Sequence, residues 1–282
     1  MAPKVTVTLL TYKSNLQFLA KALESILSQS YKDFELLIID DGPKEHNTPV
    51  VEKYQKKDKR VRIIKNKKRA GRLKSRNLGL REARGKYIAI LDSDDFWCDK
   101  DKLKKQVGFL EKNPDYGAIG TAMVLINVKG KELGRIKYPL SDEKIRRFML
   151  SSFQMAHPSV VFRKSLTRKI GLYSESRILK YAEDYEFFLR AGQFCKLANL
   201  PDYCLKYRVH PGSGTEKNQF KQRLTVIFLT ARYFGKYPGG VSAALKKMAT
   251  LFLPRKTMDR LIRSKKKFAK IYSGFTGIKK QL

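Results

Sequence analysis

The sequence predicts an α/β fold with a mainly parallel central sheet flanked by helices. Three apolar runs of strand length, over residues 4–10, 33–41 and 87–92, each end in polar or acidic residues. Segments with apolar side chains at helical spacing separate these runs. The order strand, helix, strand predicts right-handed parallel crossovers, which bring the carboxyl ends of the strands to one edge of the sheet.

The composition is that of a globular protein with an anionic partner. The chain has 282 residues, of which 42% are hydrophobic, so it can bury one large core or two modest ones. Sixty Lys and Arg against 26 Asp and Glu give a net charge of +34. This charge is typical of proteins that meet nucleic acid, an acidic membrane face or phosphorylated substrates.

The cysteines and the apolar runs limit the cellular location. Three cysteines without C-x-x-C spacing indicate neither a disulfide framework nor a zinc site. No apolar run approaches the roughly 20 residues of a membrane span. We therefore expect a cytoplasmic protein that meets any membrane peripherally, on the inner face of the cell membrane.

The first half of the chain alternates strands and helices. Residues 4–10 predict a strand, and the apolar positions of 16–27 predict a helix that Ser14 or Asn15 caps. A strand over 33–41 ends in Asp40 and Asp41. A helix over 48–57, a strand over 61–64 and a helix over 72–84 complete this half.

The basic stretch 66–71 precedes the helix that carries Arg72, Lys74 and Arg76. These cations and the helix amino terminus suit a diphosphate. The alternative for each of them is a solvated basic surface.

An acidic cluster follows the run from Gly85 to Leu91. The strand predicted over 87–91 delivers Asp92, Asp94 and Asp95 to one point at its carboxyl end. Three crowded carboxylates repel one another, and hard cations such as Mg²⁺ or Mn²⁺ relieve that repulsion. The alternative is a solvated acidic turn that caps the helix beginning near Asp99 or Asp101.

Regular alternation of helix and strand ends in the second half. We expect a helix over 100–112, strands over 116–128 and 133–138, a helix over 141–150 and a strand over 158–163. Because the order is irregular, this half is expected to shape the side of the pocket that receives a second substrate.

Two acids and one histidine in this half are candidates for chemistry. Glu183 and Asp184 open a short helix, where the helix dipole alone favours acids, or where Asp184 serves as a general base. His210 ends a strand predicted from Asp202 and is either a plain surface residue or a ligand.

The last segment, residues 215–282, is predicted to form a basic amphipathic helical tail. It holds seventeen Lys and Arg and only two acids, with apolar residues at helical spacing. Such helices suit an anionic bilayer surface. The alternative is that they pack on the core and expose their lysines.

Six motifs in order give the chain a family resemblance. They are Thr11-Tyr12, residues 28–35, Asp40-Asp41-Gly42, Arg76-Asn77-x-Gly79, the run from Ala83 to Asp95, and Glu183-Asp184-Tyr185. Together they resemble family-2 glycosyltransferases with the GT-A fold, over roughly residues 4–212. The resemblance implies a Rossmann-like GT-A domain over 1–214, with a nucleotide-sugar-binding half over 1–112, an acceptor half over 113–214 and the C-terminal basic helical extension over 215–282.

The resemblance also implies roles for single residues. On the donor side, Thr11, Tyr12 and Asp41 would hold the base and ribose, Arg76 would bind the donor, and Asp92 would contact the ribose or the metal. Asp94 or Asp95 would ligate the metal, and His210 would be an additional metal or diphosphate contact. Asp184 matches the base of the family, and Glu183 lies on the acceptor side. The chain departs from the usual pattern at Leu10, Lys13 and Pro43.

The implied activity is inverting sugar transfer that depends on Mn²⁺ or Mg²⁺. The expected donor is a UDP-sugar, and the expected acceptor is a saccharide or lipid-linked hydroxyl in cell-surface polysaccharide synthesis. One alternative is an inactive peripheral membrane protein of the same fold. Another is a nucleic-acid-binding protein, argued from the charge of +34. Its cations are not interleaved with aromatic residues in a recognisable RNA-binding motif, so no nucleic acid is expected.

Overall fold

The computed structural model describes residues 2–42, 48–210 and 219–252. The strands in these ranges are β1 (Val5–Thr11), β2 (Phe34–Asp40), β3 (Val61–Lys65), β4 (Tyr87–Asp92), β5 (Phe96–Trp97), β6 (Tyr116–Ile126), β7 (Glu132–Ile136), β8 (Val161–Arg163) and β9 (Lys196–Arg208). The α-helices there are α1 (Leu16–Leu27), α2 (Thr48–Lys57), α3 (Arg72–Glu82), α4 (Lys102–Lys112), α5 (Asp142–Met149), α6 (Ser165–Ile170), α7 (Glu183–Ala191), α8 (Gln219–Arg232) and α9 (Gly240–Phe252).

The first four strands form the parallel part of the sheet, as the sequence predicts. Their order is β3-β2-β1-β4, and every neighbouring pair runs parallel. Thr11 of β1 lies opposite Asp40 of β2, and Leu10 lies opposite Asp92 of β4. The polar residues that follow the apolar runs therefore meet at one edge of the sheet.

The second half makes the sheet mixed. In the described residues the order continues β4-β8-β6-β9-β5, with β7 paired to β6. The pairs β4-β8, β6-β8, β6-β7 and β5-β9 are antiparallel, whereas β6 and β9 run parallel. The α/β fold is confirmed, and strands of both predicted halves belong to the same sheet.

Several boundaries differ from those predicted. Strand β9 begins at Lys196, not at Asp202, because it continues past Pro201 through an irregularity opposite Thr121 and Ala122. A proline lacks the N–H that a regular ladder needs, so a bulge accommodates it. The predicted strand over 158–163 begins with a 3₁₀ turn over His157–Ser159. Strand β5 and helix α6 are not predicted from the sequence.

Two apolar cores lie on the two faces of the sheet. Alternate residues of β4 divide between them: Tyr87, Ala89 and Leu91 pack with α1 and α4, whereas Ile88 and Ile90 pack with α5 and α7. Asn15 caps α1 by accepting hydrogen bonds from the backbone N–H groups of residues 17 and 18. The sheet is therefore covered on both faces and can present its carboxyl edge as a site.

The predicted helices of the tail are confirmed in part. The apolar segments 224–234 and 241–253 correspond to α8 and α9. Residues 215–218 and 253–282, like Pro43, lie outside the described residues. Of the helices described, none combines the length and the apolar content that a bilayer crossing requires. The division of the chain at residues 112 and 214 stays a prediction.

Candidate active site

Asp92, Asp94 and Asp95 lie together where β4 ends, as the sequence predicts. Asp95 is buried, and its Oδ1 accepts a hydrogen bond of 2.7 Å from the backbone N–H of Arg208. Its Oδ2 is also buried and has no hydrogen-bond partner in the described part of the chain. Burial and the charges of Asp94 and Asp92 raise the pKa of Asp95 well above its usual value. This carboxylate therefore needs a proton or a cation beside Oδ2.

The end of β9 closes one side of the acidic cluster. His210 Nε2 lies 3.1 Å from Asp94 Oδ2, and Arg208 Nε donates a hydrogen bond of 2.9 Å to the backbone oxygen of Asp94. The guanidinium of Arg208 also stacks 3.9 Å from the centroid of the Phe18 ring. His210 is thus brought to Asp94, and the role of Asp94, Asp95 and His210 as metal ligands stays a prediction. Arg208, which the sequence analysis missed, holds the acidic turn in place.

The oxygen donors of the cluster fit a divalent cation that arrives with a phosphorylated ligand. Across the described ranges, no group of three or more His, Cys, Asp or Glu side chains has a metal-binding arrangement. Mg²⁺ is often bound by one or two carboxylates, with substrate phosphates and water completing its shell. The side chain of Asp94 is 38% exposed, and Asp95 offers its unpartnered Oδ2. These two side chains supply a donor set of that kind.

A partly buried ion network joins the acidic cluster to the start of α7. Arg76 Nη2 lies 2.8 Å from Asp92 Oδ1, and Arg76 Nη1 lies 2.8 Å from Glu183 Oε1. Arg72 Nη2 makes a further contact of 3.0 Å with Glu183 Oε2. Burial lowers the pKa of Arg76, but the attraction of Asp92 and Glu183 outweighs burial, so the pKa rises. Arg76 therefore links β4 to α7, although it lies 107 residues before Glu183 in the chain.

The two acids of α7 have different surroundings. Glu183 is buried and makes ion pairs with Arg72 and Arg76. Burial raises the pKa of Glu183, while the two arginines oppose the shift. Asp184 is partly exposed, and no ion pair to it occurs within the described residues; its Oδ1 accepts a hydrogen bond of 2.8 Å from the N–H of Tyr185. Glu183 is thus anchored by two arginines, whereas Asp184 has no ion pair among the described residues.

A buried pair of polar side chains, His157 and Tyr173, lines one small cavity with Asp92. The electrostatic influence of Asp92 and Asp184 reaches this pair, whose Nε2 and Oη atoms lie 3.0 Å apart. Burial, together with Arg76, lowers the pKa of His157 to about 4, so this imidazole is neutral at pH 7. Asn77 holds the backbone of Tyr173 with two hydrogen bonds of 2.9 and 3.0 Å. The Arg76-Asn77 motif is the sequence signal for this buried polar pair.

The predicted nucleotide-side residues surround the carboxyl ends of β1 and β2. Asp41 accepts hydrogen bonds of 2.7 Å from Asn66 Nδ2, 2.7 Å from the N–H of Ala70 and 2.8 Å from the N–H of Gly71. It therefore holds the basic loop that precedes α3. Thr11 is buried, and the guanidinium of Arg69 lies 4.3 Å from the Tyr12 ring centroid.

The roles of single residues toward a ligand stay predictions. In the structure both Nη atoms of Arg76 contact protein carboxylates, and both oxygens of Asp41 contact the loop over 66–71. The other predicted donor and metal residues lie at the carboxyl edge of the parallel strands, as expected: Thr11, Tyr12, Asp92, Asp94, Asp95 and His210.

Comparison with known proteins identifies the family. The model of the family described as "Glycosyl transferase family 2" matches residues 6–171. The chain belongs to glycosyl transferase family 2. It is 34% identical to the uncharacterized glycosyltransferase MJ1057 of Methanocaldococcus jannaschii. The aligned 235 residues are 82% of this chain and 79% of MJ1057. It is 28% identical to the amylovoran biosynthesis glycosyltransferase AmsE of Erwinia amylovora, over 88% of this chain and 94% of AmsE.

Two solved structures have the same fold as this chain. Residues 1–349 of S. aureus TarS in complex with UDP-GlcNAc match with a TM-score of 0.67 and 18% identity, over 96% of this chain and 81% of the TarS chain. The mannosyltransferase PcManGT of Pyrobaculum calidifontis, in complex with GDP-Man and Mn²⁺, matches with a TM-score of 0.64 and 17% identity, over 98% and 85%. The GT-A fold expected from the resemblance is confirmed.

Proposed function

We propose that this family 2 glycosyltransferase transfers a sugar from a nucleotide diphosphate donor, a UDP-sugar, to a hydroxyl of a saccharide or lipid-linked acceptor. The observation that carries the proposal is the Arg76 network, which joins the acidic cluster of β4 to the acids of α7 at one edge of the sheet. The UDP-GlcNAc complex of TarS and the amylovoran role of AmsE support the donor class and a place in cell-surface polysaccharide synthesis.

In this proposal Asp94 and Asp95 hold Mn²⁺ or Mg²⁺, with His210 beside them. The Mn²⁺ in the PcManGT complex and the unpartnered Oδ2 of Asp95 support this assignment. When bound, the cation stabilises the charge that develops on the leaving nucleotide diphosphate. Asp92 is held in place by Arg76 and would contact the donor ribose or the metal.

Asp184 is the general base in this scheme. A sugar hydroxyl is a poor nucleophile, so removal of its proton as the new bond forms accelerates transfer by roughly 10²–10⁴-fold. Asp184 makes no ion pair with other described residues, whereas its neighbour Glu183 is held by Arg72 and Arg76. Attack on the face opposite the leaving diphosphate inverts the anomeric carbon.

The proposed location is the inner face of the cell membrane, with a contact through residues 215–282. The net charge of +34 supports an anionic surface there. The shared family favours sugar transfer over the nucleic-acid alternative. The alternative of an inactive protein with the same fold is decided by the assay that follows.

The test is a panel of UDP- and GDP-sugars incubated with the full chain, with Mn²⁺ or with a chelator. We expect metal-dependent hydrolysis of one UDP-sugar. In parallel, titration with UDP and Mn²⁺ should give binding that Asp94→Ala abolishes and that Asp115→Ala, which changes a surface aspartate, leaves intact. Absence of hydrolysis with every donor, or unchanged UDP and Mn²⁺ titration of Asp94→Ala, would contradict the proposal.

A further inference from the structure

Exposed apolar side chains concentrate at the end of the described chain. Twelve large hydrophobic residues are exposed across the described ranges, and six of them lie within residues 219–252. They are Phe220, Leu224 and Phe228 of α8, Phe234 after it, and Val241 and Leu245 of α9. Scattered exposed apolar residues are normal, but a contiguous group marks an interaction surface.

Helix α8 presents three of these residues as one stripe. Phe220, Leu224 and Phe228 are spaced by four residues, so they follow one another along the same face of the helix; they are 67%, 46% and 39% exposed. The opposite face is anchored, since Leu229 is fully buried and Tyr233 Oη donates a hydrogen bond of 3.1 Å to Glu186. Because the opposite face of α8 packs on the protein, the α8 stripe faces away from the core.

The surroundings of the α8 stripe are cationic. Residues 219–252 contain six Lys and Arg and no Asp or Glu. Lys221 and Arg232 are exposed at the two ends of the stripe. An apolar face bordered by cations is complementary to a surface with an apolar interior and anionic head groups.

The α8 stripe continues onto the segment that leads to Asp184. Ile178 is 57% exposed, and its backbone oxygen accepts a hydrogen bond of 2.8 Å from Thr225 of α8. Ile178, Phe228 and Arg232 line one cleft of about 350 Å³. Lys221 Nζ lies 5.8 Å from the ring centroid of Tyr181, three residues before Asp184. A surface that docks on the stripe therefore reaches the segment that leads to the proposed base.

We propose that the α8 stripe, together with Ile178, docks onto an anionic phospholipid bilayer and presents the acceptor side of the site to it. Residues 253–282 are not expected to bind the stripe, because they carry ten Lys and Arg against one acid and would repel Lys221 and Arg232. A second copy of the chain, with its charge of +34, would repel them too. The docking deepens the proposed membrane contact, because it names the residues that make it, and it rests on the proposed function for the lipid-linked acceptor.

The test is sedimentation of the full chain with vesicles at ~0.15 M ionic strength. Wild-type protein should bind vesicles of phosphatidylcholine with phosphatidylglycerol and should not bind pure phosphatidylcholine. The variant F220S/L224S/F228S should bind on the order of 100-fold more weakly, because three half-exposed apolar side chains no longer enter the bilayer. The matched control is V128S/L133S, since each of these residues is 48% exposed on the β6–β7 hairpin.

Two further measurements keep the outcome interpretable. K221Q/R232Q should weaken binding to anionic vesicles and leave thermal unfolding unchanged, which separates charge from folding. UDP and Mn²⁺ titration of the stripe variant reports the donor site alone, so failure of docking and failure of the proposed function are distinguishable. Equal vesicle binding by the stripe variant, or loss of binding only when the cations of 253–282 are replaced, would overturn the proposal.

Discussion

The Arg76 network predicts a large and specific loss of stability when its centre is removed. In Arg76→Met, Glu183 keeps only its 3.0 Å contact with Arg72, and Asp92 loses its arginine partner at 2.8 Å. Breaking a buried ion pair from one side costs ~3–5 kcal/mol, because the remaining charge is left without its partner. Arg72 is 45% exposed and remains in place, so the lower end of that range is expected, about 3 kcal/mol.

The assay is urea unfolding at neutral pH, followed by circular dichroism. Arg81→Met is the matched control, because Arg81 is an exposed residue of the same helix, and its change should stay within ~0.5 kcal/mol. The double variant Arg76→Met, Glu183→Gln should recover part of the loss, since it no longer buries an unpaired carboxylate. A loss below ~1 kcal/mol for Arg76→Met, or a double variant no more stable than the single one, would refute the reasoning.

Three further changes test other parts of the structure. Burial lowers the pKa of Lys102 to about 7 from 10.5, so the unfolded chain binds the extra proton between these values and stability rises with pH across that window. At about 1.4 kcal/mol per pKa unit, the rise in the free energy of unfolding is on the order of 4 kcal/mol between pH 7 and pH 10. Urea unfolding of Lys102→Met at these two pH values should show a much smaller rise. The same rise in Lys102→Met as in wild type would contradict the assignment to Lys102. Gly85→Ala places a Cβ 2.4 Å from Thr6 N and should lower the free energy of unfolding by ~3 kcal/mol. The control Gly108→Ala, whose Cβ has nothing within 4 Å, should not destabilise the protein. Equal melting curves of the two variants would count against the close packing at Gly85. The folded-state pKa of Asp95 is raised above 3.8, so the metal-free protein loses stability as pH rises past that value. Asp95→Asn should therefore raise Tm in EDTA at neutral pH and abolish the Tm increase with Mn²⁺; a lower Tm in EDTA would contradict the burial argument.

The sequence predicts the parallel half of the sheet and the position of its acids. Strand and helix periods are local properties, so the apolar runs that end at Leu10, Asp40 and Asp92 identify both the strands and the edge where they end. The acidic cluster and His210 meet because β5, which directly follows the cluster, pairs with β9, which ends two residues before His210.

What the sequence could not give depends on contacts between distant residues. The pairing of Arg76 with Glu183 joins residues 107 positions apart, and no local pattern encodes it. Strand β5 has only two residues, and its pairing with β9 is visible only in three dimensions. Lys102 is fully buried within an amphipathic helix, where spacing alone places a lysine on the solvent side.

The central claim is that Asp184 removes the acceptor proton at a donor site built by Asp92, Asp94 and Asp95. The most direct measurement compares Asp184→Asn with wild type in two ways, as turnover of the nucleotide sugar found in the donor panel and as calorimetric titration with UDP and Mn²⁺. We expect turnover to fall by roughly 10²–10⁴-fold while the titration is unchanged. Near-normal turnover in Asp184→Asn would contradict the account.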